Sequence, residues 1–325
     1  MLGRWINELL RHRPPEFPWG DTLPLFESAD WRACNLECVM SDRGVAWTAT
    51  PKSFRFRSDA KNIAVLQAAH IDAVSLANNH TLDFENRALE DMLSLLDRAR
   101  ILHAGAGRTP EEAESVATAN LGELRIGWLA FTDNQPEWEA TSTRSGVCYV
   151  PVDLDDPRSA RLMERIRQTR SGVDVLIVSA HWGPNWGDHP PWRQIPFAHA
   201  LVEAGADLVF GHSAHVFRGV ELYHGRPILY SAGDLVDDYA VDPDQRNDRS
   251  FLFVIEVAEG ELLRLKIHPT VIREFQACLA QGPEAEEIAG KMIRLCRDFG
   301  TPAEWHEHEH CLEIPVKRTR RREAA

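Results

Sequence analysis

Ile71–Phe84, IDAVSLANNHTLDF, is the stretch on which the reading of the fold turns. It opens as a short apolar run, Ala73–Leu76, and breaks into Asn78, Asn79, His80 and, three residues on, Asp83. An apolar strand that hands over to amide, imidazole and carboxylate is how open α/β sheets present a site, in loops at the carboxyl ends of their strands. The next segment, Glu85–Ala99, sets Leu89, Met92, Leu93 and Leu96 on one stripe with charges opposite, which predicts an amphipathic helix.

The same hand-over recurs along the chain. Trp31–Cys38 reads as a brief strand running into Asn35 and Glu37. Asp174–Ala180 (DVLIVSA) reads as a buried strand ending at His181-Trp182-Gly183, and Asp207–Phe210 as another ending at Gly211-His212, with His215 close behind. Arg125–Phe131 is a further buried strand. Helices are expected over the N-terminal segment, with Leu2, Trp5, Ile6, Leu9 and Leu10 on one face, and over 59–69, 192–203 and 284–299. Hairpins are expected at 220–231 around His224-Gly225 and at 251–268 around Glu259-Gly260. Strands alternate with helices in the first two-thirds and hairpins gather in the last third. This is the pattern of one α/β domain, residues 1–300, whose sheet ends in antiparallel strands. Residues 301–325 read as a polar, flexible tail, with His306, His308 and His310 alternating with glutamates before a basic run at Lys317–Arg322.

The composition narrows the function. Of 325 residues 44% are hydrophobic and 26% charged, ordinary for a globular protein with a sizeable core. A formal charge of −13 argues against sequence-independent nucleic-acid binding and against general attraction to an anionic membrane. No apolar run reaches the ~18 residues of a membrane-spanning helix. The N-terminus lacks the apolar core of a signal peptide. Six scattered cysteines without zinc-site spacing read as reduced, buried thiols, and a cytoplasmic protein is the expectation.

Pooled, the strand ends supply a carboxylate, amides and up to four imidazoles, a set suited to one or two ions of manganese, zinc or iron. Two such ions about 3.5–4 Å apart stabilise both attacking and leaving oxygens in a hydrolysis. Asp83 is placed to orient the imidazole of His80.

The ordered motifs NLE, LANNHTLD, HWG, GHSAHVFRGVE and GRPILYSAGD resemble the CapA-type poly-γ-glutamate (capsule) biosynthesis family, over residues 1 to about 240. That family lies within the calcineurin-like metallophosphoesterase superfamily. The resemblance implies a four-layer αββα sandwich and a metal-dependent hydrolase or transferase site acting on a phosphoester or amide bond. Glu37, Asn79, His181, His212 and His215 would be metal ligands, His80 the proton donor and Asp83 its orienting partner. Asn35, Trp182, Arg218, Glu221 and Asp234 would meet the substrate at the mouth. An acidic polymer or capsule-synthase subunits would be the partners, and a non-catalytic accessory protein using the same cleft is the alternative. Two departures stand out. Gly233-Asp234 replaces the family's glycine-asparagine, so that Asp234 either adds negative charge near the metals or caps the turn. The family's opening apolar strand ending in Gly-Asp has no counterpart before Met1, which gives the expectation either of a chain started too late, with an exported or anchored form upstream, or of a naturally impaired member.

Overall fold

A computed structural model of the chain describes residues 1–316. The strand Ala73–Ser75 is the centre of a three-stranded parallel sheet, flanked by Ala33–Asn35 and Leu102–Ala104. The helix Glu85–Ala99 makes the crossover between Ala73–Ser75 and Leu102–Ala104, and buries the predicted stripe of Leu89, Met92, Leu93 and Leu96 beside Val74 and Leu76. It stops at Arg100, whose φ of 60° turns the chain out of the helix.

A second, six-stranded sheet has parallel strands Leu124–Thr132, Val175–His181, Leu208–His212 and Arg226–Leu229 at its centre. Antiparallel strands Ala117–Leu121 and Val220–Tyr223 close its two edges. Successive side chains of a strand point to opposite faces. Val175 and Ile177 accordingly share a core with Ala73, Ala77 and Ala104 of the first sheet. Leu176 and Val178 pack with Leu162 and Ile166 of the helix Pro157–Arg170, and with Phe197 and Leu201 of the helix Gln194–Ala204. Covered on both faces, these strands have near-continuous apolar sequences.

The two sheets approach each other closely at Gly105, whose φ is +89°. A Cβ there would lie 2.5 Å from Ala77 Cβ and 2.8 Å from Ala130 Cβ. Gly105→Ala is therefore expected to lower stability by about 1–3 kcal/mol, through overpacking and a left-handed backbone. A shift of the urea midpoint corresponding to less than ~0.5 kcal/mol would contradict that packing.

The last third forms an antiparallel sheet. Its strands are Arg249–Ala258, Glu261–Arg273, Cys311–Pro315 and Glu304–His306, with Gln276–Leu279 pairing Glu261–Arg273. The helix Gly282–Arg297 packs beside it. Among the described residues no helix is long and apolar enough to cross a membrane.

Two expectations need correction. The tail expected from residue 301 is ordered sheet as far as Pro315, because Cys311, Leu312 and Ile314 are fully buried and the polar run before them hid a short apolar strand. The basic run Lys317–Arg322 lies outside the described residues. In the helix Arg4–Leu9 the buried face carries Ile6 and Asn7, while Trp5 is 63% exposed. Asn7 tolerates burial because its amide oxygen accepts from the Asp59 N–H at 2.7 Å and from Asn62 at 2.8 Å. A further helix, Pro157–Arg170, carries a clear start signal: the Asp156 side chain caps the Arg158 N–H at 2.8 Å, ahead of proline at the first position.

Candidate metal centre at the strand ends

The loop after Ala73–Ser75 is set by Asn78, which is fully buried. Its Nδ2 donates to Leu36 O at 2.9 Å and to Asn35 Oδ1 at 3.0 Å, tying this loop to the neighbouring strand end. Its Oδ1 accepts from the His80 N–H and from Thr81 Oγ1, both at 3.0 Å. Asn35 passes the tie on, donating to Glu37 Oε2 at 3.0 Å. Asn35 thus positions Glu37 and has its amide engaged between two neighbours, a different role from the substrate contact expected of it.

Asp83 is the hub beneath His80. Its Oδ2 accepts from His80 Nδ1 and from the Phe56 N–H, each at 2.6 Å, and Lys52 Nζ lies 3.2 Å from its Oδ1. A carboxylate can only accept, so His80 Nδ1 carries the hydrogen and Nε2 is the nitrogen left to exchange a proton. Burial holds the His80 imidazolium down despite that carboxylate. Lys52, whose own ammonium is pushed down by burial, also donates to Asn79 O. The side-chain Oδ1 of Asn79 is buried with no hydrogen-bond partner among the described residues.

Across from this loop stand Glu37 and His181, with His181 Nε2 4.0 Å from Glu37 Oε1 and otherwise unpartnered. Burial pushes the Glu37 carboxyl up to about 7 and holds His181 neutral. A relay lies behind His181: its Nδ1 is 2.8 Å from His212 Nδ1, and His212 Nε2 is 2.8 Å from Ser179 Oγ. If His181 donates along this relay, the lone pair of its Nε2 faces Glu37. Both ring nitrogens of His212, expected as a ligand beside His181, lie within hydrogen-bond distance of a neighbour in this arrangement.

The third wall is the turn Gly211–His215 with the Gly233–Tyr239 segment. A Cβ on Gly211 would meet Leu229 O at 2.4 Å, and Ser213 holds a φ of 106°, so the backbone is strained where it presents His215. His215 Nδ1 bonds Asp234 Oδ2 at 2.8 Å. Burial works against the imidazolium, but the Asp234 carboxylate outweighs it and holds His215 at about 9. Asp234, also opposed by burial, is in turn held at about 2 by His215. Trp186, 44% exposed, and Tyr239 pack on the His215 ring with centroids 5.8 and 4.8 Å away.

Trp182, Arg218 and Glu221 do not line this mouth. Trp182 is fully buried among Phe131, Phe197 and Tyr230, its Nε1 donating to Tyr230 O at 3.0 Å. The Arg218 guanidinium is enclosed and braces the loop after His181, donating to the carbonyls of Pro184, Trp186 and Gly187. Glu221 accepts from His199 at 2.9 Å and from Tyr230 OH at 2.6 Å, within the helix-covered side of the sheet. The motif containing these residues is real, but long polar side chains in it serve the scaffold. Four residues were missed: Lys52, Asp133, Trp186 and Asp237. Asp133 follows the strand Leu124–Thr132 directly, so the strand-end rule reaches it; its carboxylate, pushed up to about 6 by burial, receives the Gly183 N–H at 3.0 Å. Lys52 sits in an irregular loop and carried no such signal.

Two buried polar atoms lack partners among the described residues, Asn79 Oδ1 and His181 Nε2, and the second lies 4.0 Å from a buried carboxylate, Glu37. Burying unpaired polar atoms costs free energy, and a divalent cation of the zinc, manganese or iron class accepts this donor set. The residues present fit such an ion.

Comparison with known proteins gives a consistent set of likenesses. Residues 1–239 match the family described as bacterial capsule synthesis protein PGA_cap. A Mycobacterium tuberculosis protein named probable polyglutamine synthesis accessory protein is 34% identical over 296 residues, covering 87% of this chain and 77% of the relative. The capsule biosynthesis protein CapA of Bacillus anthracis is 24% identical over 321 residues, 97% of this chain and 75% of its own. The PGA biosynthesis protein CapA of Bacillus subtilis is 25% identical over 240 residues, 73% of this chain and 61% of its own.

Proposed function

The chain belongs to the bacterial capsule synthesis (CapA-type) family, and from that premise we propose that it serves polyglutamate or capsule assembly as a metal-dependent hydrolase or transferase at a phosphoester or amide bond. The observation that carries this reading is the pair of unpartnered buried atoms, Asn79 Oδ1 and His181 Nε2, with Glu37 Oε1 4.0 Å from the latter. Glu37, Asn79, His181 and His215 would hold one or two divalent ions. Such an ion, when bound, supplies Lewis-acid activation of water. The chain's own part is proton handling: Asp83 holds the hydrogen on His80 Nδ1, so that Nε2 first takes up a proton, with the Asp83 carboxylate as counter-charge, and then delivers it to the leaving group. The architecture behind this reading is the αββα metallophosphoesterase sandwich, supported by two parallel-centred sheets whose inner faces share one core and whose outer faces carry helices.

A second reading has support in the name of the mycobacterial relative, an accessory protein. In that case the same cleft binds polymer or synthase subunits without turnover. Purified protein loaded with manganese or zinc is expected to bind at least one ion per chain and to turn over a chromogenic phosphodiester. Binding of less than one ion together with no turnover would leave the accessory reading standing alone.

A further inference from the structure

An open groove of about 600 Å³ runs beside the strand Ala33–Asn35, and none of the candidate ligands lines it. The six-stranded sheet gives it alternate residues, Ile126 and Trp128, Val175 and Ile177, Leu208 and Phe210, so its floor is the apolar face of that sheet. The walls differ. Consecutive residues line them, 31–33 leading into Ala33–Asn35 and 252–257 within Arg249–Ala258. Consecutive residues point to opposite faces of their own sheet, so each wall is a strand edge.

Both edges are open. Ala33–Asn35 pairs with Ala73–Ser75 and Arg249–Ala258 with Glu261–Arg273, and neither has a strand on its other side among the described residues. Arg32 O accepts from the Ala73 N–H and the Leu36 N–H donates to Ser75 O, both at 3.1 Å. Residues 32, 34 and 36 thus serve the inner side, and Ala33 and Asn35 turn their N–H and C=O groups to the groove. Open edges are normally covered or charged, whereas these border an apolar floor. Trp31 and Trp128 also line the groove, edge to face with ring centroids 5.7 Å apart, and each keeps a buried indole N–H with no acceptor among the described residues. Buried indole N–H groups ordinarily find one.

We propose that the groove seats one further β-strand, which pairs with both edges and joins the three-stranded sheet to the antiparallel sheet of the last third. With Leu25 and Phe26 also on its lining, the occupant is a near-continuous apolar run of about six residues, the length of the longer wall. It is polypeptide joined to this chain through Met1. The Met1 ammonium donates to Val236 O at 2.5 Å and its charge acts on Cys34, Glu37 and Asp234, which puts Met1 at the carboxyl end of Ala33–Asn35. A strand leading into Met1 therefore runs parallel to Ala33–Asn35. Parallel neighbours need a crossover of a dozen or more residues, usually helical. The helices Arg4–Leu9 and Leu23–Ser28 already lead from Met1 back to the start of Ala33–Asn35. Residues 317–325, KRTRRREAA, have no apolar side chain beyond alanine and do not suit the floor. The inference does not depend on the metal-centre reading.

The test compares the 325-residue chain with one extended by the in-frame codons that precede Met1. Both are read by melting temperature, by the fluorescence of anilinonaphthalene sulfonate and by mass in sedimentation. The shorter chain is expected to be a monomer that binds the dye. The extended chain is expected to melt at least about 10 °C higher and to lose most of the dye signal, since several apolar side chains become buried. Ala33→Pro deletes an N–H that only the added strand uses, so it is expected to lower the melting temperature of the extended chain more than that of the shorter one. Equal lowering of both overturns the inference, as does an extended chain that melts within about 2 °C of the shorter one and still binds the dye. A stop codon directly before Met1 overturns it too. So does a shorter chain that binds no dye, whose mass, if that of a dimer, would identify a second copy as the occupant.

Discussion

Replacing Asp83 by alanine is expected to destabilise the protein by about 3–5 kcal/mol, the range seen when one partner of a buried ion pair is removed. Asp83 is fully buried, and Lys52, with which it pairs at 3.2 Å, has only 9% of its side chain exposed. The substitution strands the ammonium of Lys52, the Nδ1–H of His80 and the N–H of Phe56 together, since all three converge on this one carboxylate. Lys52→Met in the D83A background is expected to restore part of the loss, because the unmatched charge is then gone while the two N–H groups are still unpaired. Urea denaturation of the single and double variants measures both effects. A D83A loss below ~1 kcal/mol would mean that water reaches the site and that the pair is worth no more than a surface one.

His80→Ala carries the largest expected effect on chemistry. If His80 Nε2 delivers the proton to the leaving group, kcat on a phosphodiester should fall by about 10²–10⁴-fold, the contribution of a positioned general acid. The number of ions bound should not change, since His80 is assigned no ligand role. Asp83→Asn is expected to lower kcat through the tautomer of His80, with a smaller stability loss than D83A because the amide oxygen still accepts one N–H. An unchanged kcat in H80A would remove His80 from the reaction. A drop in bound metal would make it a ligand instead.

Much of this was legible in the sequence for a definite reason. Apolar runs of strand length ending in Asn, His or Glu mark where a buried strand must give way to polar loop, and parallel strands bring those ends together. Glu37, Asn79, His80, Asp83, His181 and His215 follow from that rule alone, and the stripe of Leu89, Met92, Leu93 and Leu96 fixes the crossover helix that holds the rule in register. The family resemblance supplied what the residues could not, a place for the chain among capsule synthesis proteins.

What only the tertiary structure decided is which polar side chains are free. His212 and His181 look alike in sequence, yet one has both ring nitrogens bonded and the other keeps Nε2 unpartnered. Arg218 and Asp234 were both expected at the mouth. The guanidinium is enclosed by loop carbonyls, while the carboxylate joins His215. A motif fixes the kind of group at a position, but its chemistry depends on which partners the fold brings within about 3 Å, and those partners come from distant parts of the chain. Lys52 under Asp83 and Asp237 beside His215 became visible for that reason only when the loops were folded onto one another.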